Sequence, residues 1–221
     1  SEHEIVTEGY KEIAHPGLYV QFPIEGDEEG ALLVWTTTPW TLTSNVAVAV
    51  HPDRDYVRVR QGEGQFFVIK TRLSALNGEY EVIQEISGRD LVGLRYRGPF
   101  DELPAQTGVE HRVIEWEDVS ENEGTGLVHI APGAGKEDFA LGKKHQLDTI
   151  APLDESGHFV EGFQEFSGKS VFEINESIYE SLRNKGLFYH LESYSHRYPV
   201  CWRCDTELVF RLVDEWFISM D

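Results

Sequence analysis

The chain has 221 residues, 40% of them hydrophobic and 12% aromatic, enough for one large domain or a main domain with a small satellite around a sizeable core, which excludes a random coil. Its 19 basic and 39 acidic residues sum to −20, and Lys11 is the only basic residue before Arg54, so this surface alone is a poor nonspecific binder of nucleic acid. No segment approaches the roughly 18 uninterrupted apolar residues of a membrane span, so a soluble globular protein without a membrane partner is expected.

In chain order, Leu18 to Pro23, Ala31 to Thr37, Val46 to Val50, Tyr56 to Arg60 and Gln65 to Lys70 alternate or run β-branched and aromatic, which predicts strands. Gly, Asp, Glu and Pro clusters separate them, and short strands at this spacing suggest a barrel or folded-over sheet. Further strands are predicted at Tyr80 to Ile86, Arg112 to Trp116 and Gly126 to Ala131, interrupted by Gly-Arg-Asp and Gly-Pro-Phe turns. A short helix is expected over Lys136 to His145. A clearer one spans Glu173 to Lys185, where Ile174, Ile178 and Leu182 recur every four residues and Gly186 stops the run. The tail from Phe188 to Asp221 carries Tyr189, Tyr194, His196, Tyr198, Trp202 and Trp216 around Cys201 and Cys204, then an apolar stretch, Leu208 to Val213, predicted as a strand. It reads as a connecting ribbon that packs on something else. The fold class is therefore α+β, predominantly β, a barrel-like domain with few helices and a β-ribbon. The only methionine is Met220 and no signal peptide opens the chain, which reads as a fragment or processed chain. Two cysteines make a disulfide framework implausible and an intracellular origin the better reading.

Three stretches could carry chemistry. In Trp35-Thr36-Thr37-Thr38-Pro39-Trp40-Thr41-Leu42-Thr43-Ser44-Asn45, alternation sends Thr36 and Thr38 to one side of a strand that Pro39 ends, because proline has no N–H to donate. Hydroxyls and freed backbone groups then face one spot. A solvated edge strand is the plain alternative, since threonine favours strands, but two flanking tryptophans and Asn45 point to a groove. In Gly124 to Asp138 (GTGLVHIAPGAGKED), a strand delivers His129 to its end, and a Pro-Gly-rich loop lets backbone approach a ligand. Asp138 falls in the first turn of the next helix. The helix N-terminus favours a carboxylate there by about 0.3 to 1 kcal/mol, so an ionised Asp138 suits a cation such as an ammonium. The alternatives are a helix-end charge and a core histidine. Gly133 and Gly135 hint only weakly at phosphate, as neither a P-loop nor GxGxxG is present. Third, Cys201-Trp202-Arg203-Cys204 supplies two ligands where tetrahedral zinc needs four; the spacing of His190 and His196 matches no common finger, and a redox CxxC lacks its helix.

WTTTPWTLTSNVAVAVHP (residues 35–52), GTGLVHIAPGAGKEDF (residues 124–139) and SYSHRYPVCWRC (residues 193–204) resemble, in order and at plausible distances, three markers of the editing insertion of class I isoleucyl-tRNA synthetases. His3-Glu4-Ile5 and Trp216-Phe217-Ile218 are similar to the segments where that insertion leaves and rejoins the catalytic domain, so the resemblance spans essentially the whole chain. Valyl and leucyl relatives typically carry a Thr-Thr-Arg-Pro version of the first marker. Here Thr37-Thr38-Pro39-Trp40 is the isoleucyl form, with Thr43 where many relatives have proline.

The resemblance implies a connecting strand over residues 1–16, an editing domain over 17–188 and a connecting ribbon over 189–221 with half a zinc knuckle. The implied activity is hydrolysis of Val-tRNA(Ile), and of valyl-adenylate as a further candidate, by a positioned water. A pocket separates isoleucine from valine by one methylene, and synthetases of this kind are themselves the known case in which binding alone falls short and a hydrolytic sieve is added. Asp138 is expected to hold the α-ammonium. Thr36, Thr37 and Thr38 are expected to bind the aminoacyl moiety, terminal ribose and water, in a groove shaped by Trp40, Asn45, Gly133 and Gly135. His129 is expected to line the side-chain end. Editing implies no cofactor, and zinc on Cys201 and Cys204 only in the full-length enzyme, where a second CxxC precedes the insertion. The implied partners are the charged 3′ end of tRNA(Ile) and the rest of the synthetase chain, in a cytoplasmic monomer. The alternative is a noncatalytic β-barrel that docks the tRNA end or another partner.

Overall fold

The computed structural model describes residues 9–213; His3-Glu4-Ile5 and Trp216-Phe217-Ile218 lie outside them. Nine strands form one curled, branched sheet: β1 (Tyr10–Pro23), β2 (Gly30–Thr36), β3 (Ala47–Val50), β4 (Asp55–Gln61), β5 (Gly64–Ile69), β6 (Glu81–Ser87), β7 (Arg112–Glu115), β8 (Leu127–Ile130) and β9 (Phe188–Pro199). Helices are few: α1 (Gly88–Leu91), α2 (Lys136–His145) and α3 (Asn175–Asn184). The predominantly β, barrel-like fold with few helices that the sequence predicts is present, in the form of a half-barrel.

The branch point is β2. Antiparallel β1 lies along one edge from Leu18 opposite Thr36 to Pro23 opposite Ala31. The other edge is shared in parallel, by β5 at Gly30 to Leu32 and by β8 at Trp35, which pairs with Val128. From there β5, β4 and β6 continue one wing, and β8, β3 and β7 the other. An apolar run suits a strand covered on both faces. Leu32 and Val34 enter the main core with Val48, Val50 and Leu127, while Ala31 and Leu33 enter a second core with Val57, Val59 and Phe66. A third core joins Ala47, Ala49 and Ile130 to Leu141 of α2. Period-two alternation thus puts α2 on one face of β3 and β8 and the main core on the other.

Strand β1 begins eight residues earlier than its predicted start at Leu18, because pairing with β9 carries it through Pro16 and Gly17. Residues 10–17 pair only with β9, and Pro16 is tolerated at such an edge. Helix α2 matches its predicted span, and α3 buries Ile178, Tyr179 and Leu182 as the spacing requires, ending before Gly186 at φ +70°. The predicted strand Leu208 to Val213 does not form. Beyond the isolated bridge Val200 to Glu207, this apolar stretch has no ladder partner among the described residues, and without one its pattern cannot become a strand.

Candidate functional site

The path from β2 to β3 builds the site. Parallel β2 and antiparallel β3 flank β8, so residues 37–46 must cross the C-terminal end of β8. Pro39 starts a 3-10 turn, Pro39–Ser44, that makes the crossing. The Thr38 N–H donates to Thr36 Oγ1 (3.1 Å), and the Thr38 carbonyl accepts both the Thr41 N–H (3.1 Å) and the Thr41 hydroxyl (2.7 Å). Gln106 ties down the far end, its Nε2 donating to the carbonyls of Thr43 (2.8 Å) and Asn45 (3.1 Å). The threonine stretch is therefore a pinned loop rather than a solvated edge.

His129 stands under this loop with both ring nitrogens engaged: Nδ1 lies 2.8 Å from Asn45 Nδ2 and Nε2 lies 2.9 Å from Thr41 Oγ1. Asn45, fully buried, also donates to the Ala47 carbonyl (3.0 Å) and accepts from the Tyr96 hydroxyl (2.7 Å). Burial without a counter-charge lowers the His129 pKa to about 3, so the imidazole is neutral and is not poised as a base near neutral pH. Burial likewise raises the Tyr96 phenol well above its usual range.

Past Ile130 the chain turns through Ala131 to Gly135 into α2. Gly133 is required by close packing: a Cβ there would lie 1.8 Å from the Ile150 carbonyl oxygen. Gly135 caps α2 with extended backbone beneath the Asp138 carboxyl. Asp138 is half-buried, shares the helix face of Leu141, and accepts the Ala131 N–H on Oδ2 (2.8 Å). Burial raises its carboxyl to about 6, against the opposing effect of the Ala131 hydrogen bond. It remains mostly ionised at pH 7, but desolvation outweighs the helix-end stabilisation expected from the sequence.

Two cavities flank the loop. One of about 280 Å³ is lined by Trp35, Thr36, Thr37, Trp116, Thr125 and His129. The other, of about 220 Å³, is lined by Thr37, Thr38, Trp40, Phe172, Asn175 and Tyr198. Thr37 belongs to both and Asp138 to neither lining. Trp40 is largely core, edge-on to Phe159. The structure thus gathers Thr36, Thr37, Thr38, Asn45 and His129, with the Gly133–Asp138 loop at the same end of β8. Sequence reasoning missed Tyr96, at an isolated β-bridge to Ile24, and Gln106, at the end of a short 3-10 turn, neither of which carries a sequence pattern, and passed over Thr41, which lay inside the quoted motif.

Cys201 and Cys204 lie beyond the end of β9. The Cys201 carbonyl accepts the Asp205 N–H (2.8 Å), and Cys204 Sγ lies 3.2 Å from Thr206 Oγ1. Hydrogen bonds from Thr206 first, then Cys201, lower the Cys204 thiol. The pair suits a thiolate knuckle. Among the described residues no group of three or more His, Cys, Asp or Glu is placed to hold a metal, and a tetrahedral zinc needs four ligands.

The half-barrel and its crossing loop define the class, for the fold is that of the editing insertions called CP1. The crystal structure of GlLeuRS-CP1 superposes at a TM-score of 0.61 with 17% identity, covering 83% of this chain and 98% of that one. The P. knowlesi cytosolic leucyl-tRNA synthetase editing domain superposes at 0.59 with 10% identity, covering 85% and 99%. In sequence, isoleucine–tRNA ligases of Methanothermobacter thermautotrophicus and Pyrococcus horikoshii are each 44% identical, over 96% and 100% of this chain. That of Clostridium tetani is 40% identical over 100%. The chain belongs to the isoleucyl-tRNA synthetase family and spans 20 to 22% of the length of these relatives. No family model matches it.

Proposed function

We propose that this chain is the hydrolytic editing domain of an isoleucyl-tRNA synthetase, cleaving the ester of Val-tRNA(Ile) in the cytoplasm. The observation that carries the reading is the threonine loop crossing the end of β8 beside the loop that bears Asp138. Hydroxyls and fixed backbone groups gather over the end of β8, and the half-buried Asp138 carboxylate stands at the same end of that strand, tied to Ala131. The ionised Asp138 holds the substrate α-ammonium, and the gain is positional. Thr36, Thr37 and Thr38 receive the aminoacyl group, the terminal ribose and a water. The water oxygen bonds to the ester carbonyl carbon, the bond from that carbon to the ribose oxygen breaks, and the water's proton ends on the ribose oxygen. Free valine and uncharged tRNA result. His129, neutral and with both nitrogens occupied, forms a fixed wall rather than a base.

The partners are the 3′ end of tRNA(Ile) and the rest of the synthetase. A domain that receives its substrate from a larger enzyme need not be basic, which reconciles tRNA with a net charge of −20. Among the described residues no helix is long and apolar enough to cross a membrane. The test is deacylation of mischarged Val-tRNA(Ile) by the enzyme and its Asp138→Ala variant; equal rates would return the chain to the docking-module reading.

A further inference from the structure

The hydrogen bonds around His129 have only one consistent direction. Asn45 Nδ2 touches the Ala47 carbonyl (3.0 Å), which can only accept, so the amide cannot be turned over without setting two oxygens face to face. The second proton of Nδ2 then points at His129 Nδ1, 2.8 Å away, and Nδ1 must present its lone pair. The ring proton therefore sits on Nε2 and is donated to Thr41 Oγ1 (2.9 Å). With that lone pair used, the Thr41 hydroxyl proton goes to the Thr38 carbonyl, 2.7 Å away. A main-chain group on β3 thus dictates, through three side chains, how a carbonyl in the threonine loop is held.

We infer that Asn45 and Thr41 are positioning residues, which lock His129 as the Nε2–H tautomer and, through it, fix the Thr38 main-chain carbonyl in the threonine loop. Asn45 is fully buried and does not reach a substrate, so its place in the motif comes from orienting the imidazole. The opposite tautomer would make Nε2 an acceptor, draw the Thr41 proton to itself and strip the Thr38 carbonyl of its shortest hydrogen bond. The imidazolium would set two donors against each other at Asn45. The relay holds the loop in one state because no member is charged, and each proton has a single place to go.

The effect on rate rests on the deacylase reading above, whereas the tautomer does not, and the test separates them. Nitrogen-15 spectra of the histidine-labelled chain distinguish protonated from unprotonated ring nitrogens, and the His129 signals are assigned by their loss in His129→Gln. The expected spectrum at pH 7 has an unprotonated Nδ1 and a protonated Nε2; the reverse, or an average of the two, overturns the inference. Asn45→Asp, which offers no donor, is expected to move the proton to Nδ1, and an unchanged spectrum would likewise overturn it. Thr41→Val keeps the shape but loses the hydroxyl. In the synthetase carrying this chain it is expected to slow Val-tRNA(Ile) deacylation about tenfold, with Thr41→Ser within about twofold of the parent. A Thr41→Val variant as fast as the parent sinks the positioning role. A parent enzyme with no deacylase activity overturns the functional reading and the positioning role with it, while the spectrum still decides the tautomer.

Discussion

Asp138 Oδ2 accepts the main-chain N–H of Ala131 at 2.8 Å, so the first turn of α2 is laced back to the residue that follows β8. One carboxylate oxygen thereby shapes the loop, and the group is held past the C-terminal end of β8, where burial raises it to about 6. A structural tether needs only an acceptor; an ammonium holder needs the charge. That difference separates the two roles experimentally.

Asp138→Ala is expected to slow deacylation of Val-tRNA(Ile) by about 10- to 100-fold while leaving the fold intact, because a charge-assisted contact is worth about 1.5 to 3 kcal/mol. Asp138→Asn keeps an acceptor for Ala131 without the charge and should be nearly as slow. Steady-state rates with circular dichroism spectra check both, and near-parental activity in Asp138→Asn would leave Asp138 as a tether only.

The raised carboxyl makes a prediction about stability with a definite sign. A folded-state value of about 6 against the usual 3.8 means that the folded protein holds this proton more tightly than the unfolded chain does. Ionisation therefore costs stability above pH 6, by an amount on the order of 3 kcal/mol, and that cost fades as pH falls through 6 towards 4. Asp138→Asn is expected to unfold at higher denaturant concentration than the parent at pH 7.5, with the gap narrowing steadily to pH 4. A gap that is constant with pH would show that the carboxyl is not raised.

Much of this was legible in the sequence. Strand alternation, the Gly186 stop and the ends of α2 reflect local chemistry that a linear reading contains. What escaped depends on pairing partners distant in sequence. Residues 10–17 form a strand only because β9 lies alongside, and Leu208 to Val213 does not form one because no partner lies alongside it among the described residues. The candidate motifs were visible as motifs, yet the reason for Asn45 was not. Its partners are His129, 84 residues away, and Tyr96, 51 residues away in a stretch with no pattern of its own.

The cysteine pair gives a metal prediction. Two thiolates in a knuckle are half of a tetrahedral zinc site, so the isolated chain is expected to hold zinc weakly and substoichiometrically. Extending the chain to include the second cysteine pair that the family resemblance implies ahead of it should bring one zinc per molecule. Metal analysis after gel filtration reads both, and one tightly held zinc in the isolated chain would mean that other residues complete the set.

Gly133→Ala is expected to be more damaging than its single methyl suggests. The new Cβ would lie 1.8 Å from the Ile150 carbonyl oxygen and 2.8 Å from the Ala151 nitrogen, both main-chain atoms that can yield only by moving the loop. Overpacking of this kind costs about 1 to 3 kcal/mol. Thermal unfolding should show the loss, with editing falling as the Asp138 loop shifts; a melt equal to the parent's would mean that the loop has room the structure does not show.

His129 poses the sharpest choice, because its geometry serves both a sieve and a core residue. With Asn45 on one nitrogen and Thr41 on the other, the ring is immobile, and an immobile wall can exclude an additional methylene where a mobile one would step aside. The same bonds mean that His129→Ala strands buried polar groups on Asn45 and Thr41, at about 1 to 3 kcal/mol each. A lower melting temperature is therefore expected on either account and decides nothing. The deciding quantity is the ratio of deacylation rates on Ile-tRNA(Ile) and Val-tRNA(Ile) in the full-length enzyme. If the cavity that His129 lines beside Thr36 and Thr37 receives the amino-acid side chain, His129→Ala should begin to hydrolyse Ile-tRNA(Ile) while keeping substantial activity on Val-tRNA(Ile). If it is only a core histidine, both rates should fall together. A ratio unchanged from the parent, alongside a lowered melt, assigns His129 to the scaffold and leaves exclusion of isoleucine to the remaining walls of that cavity.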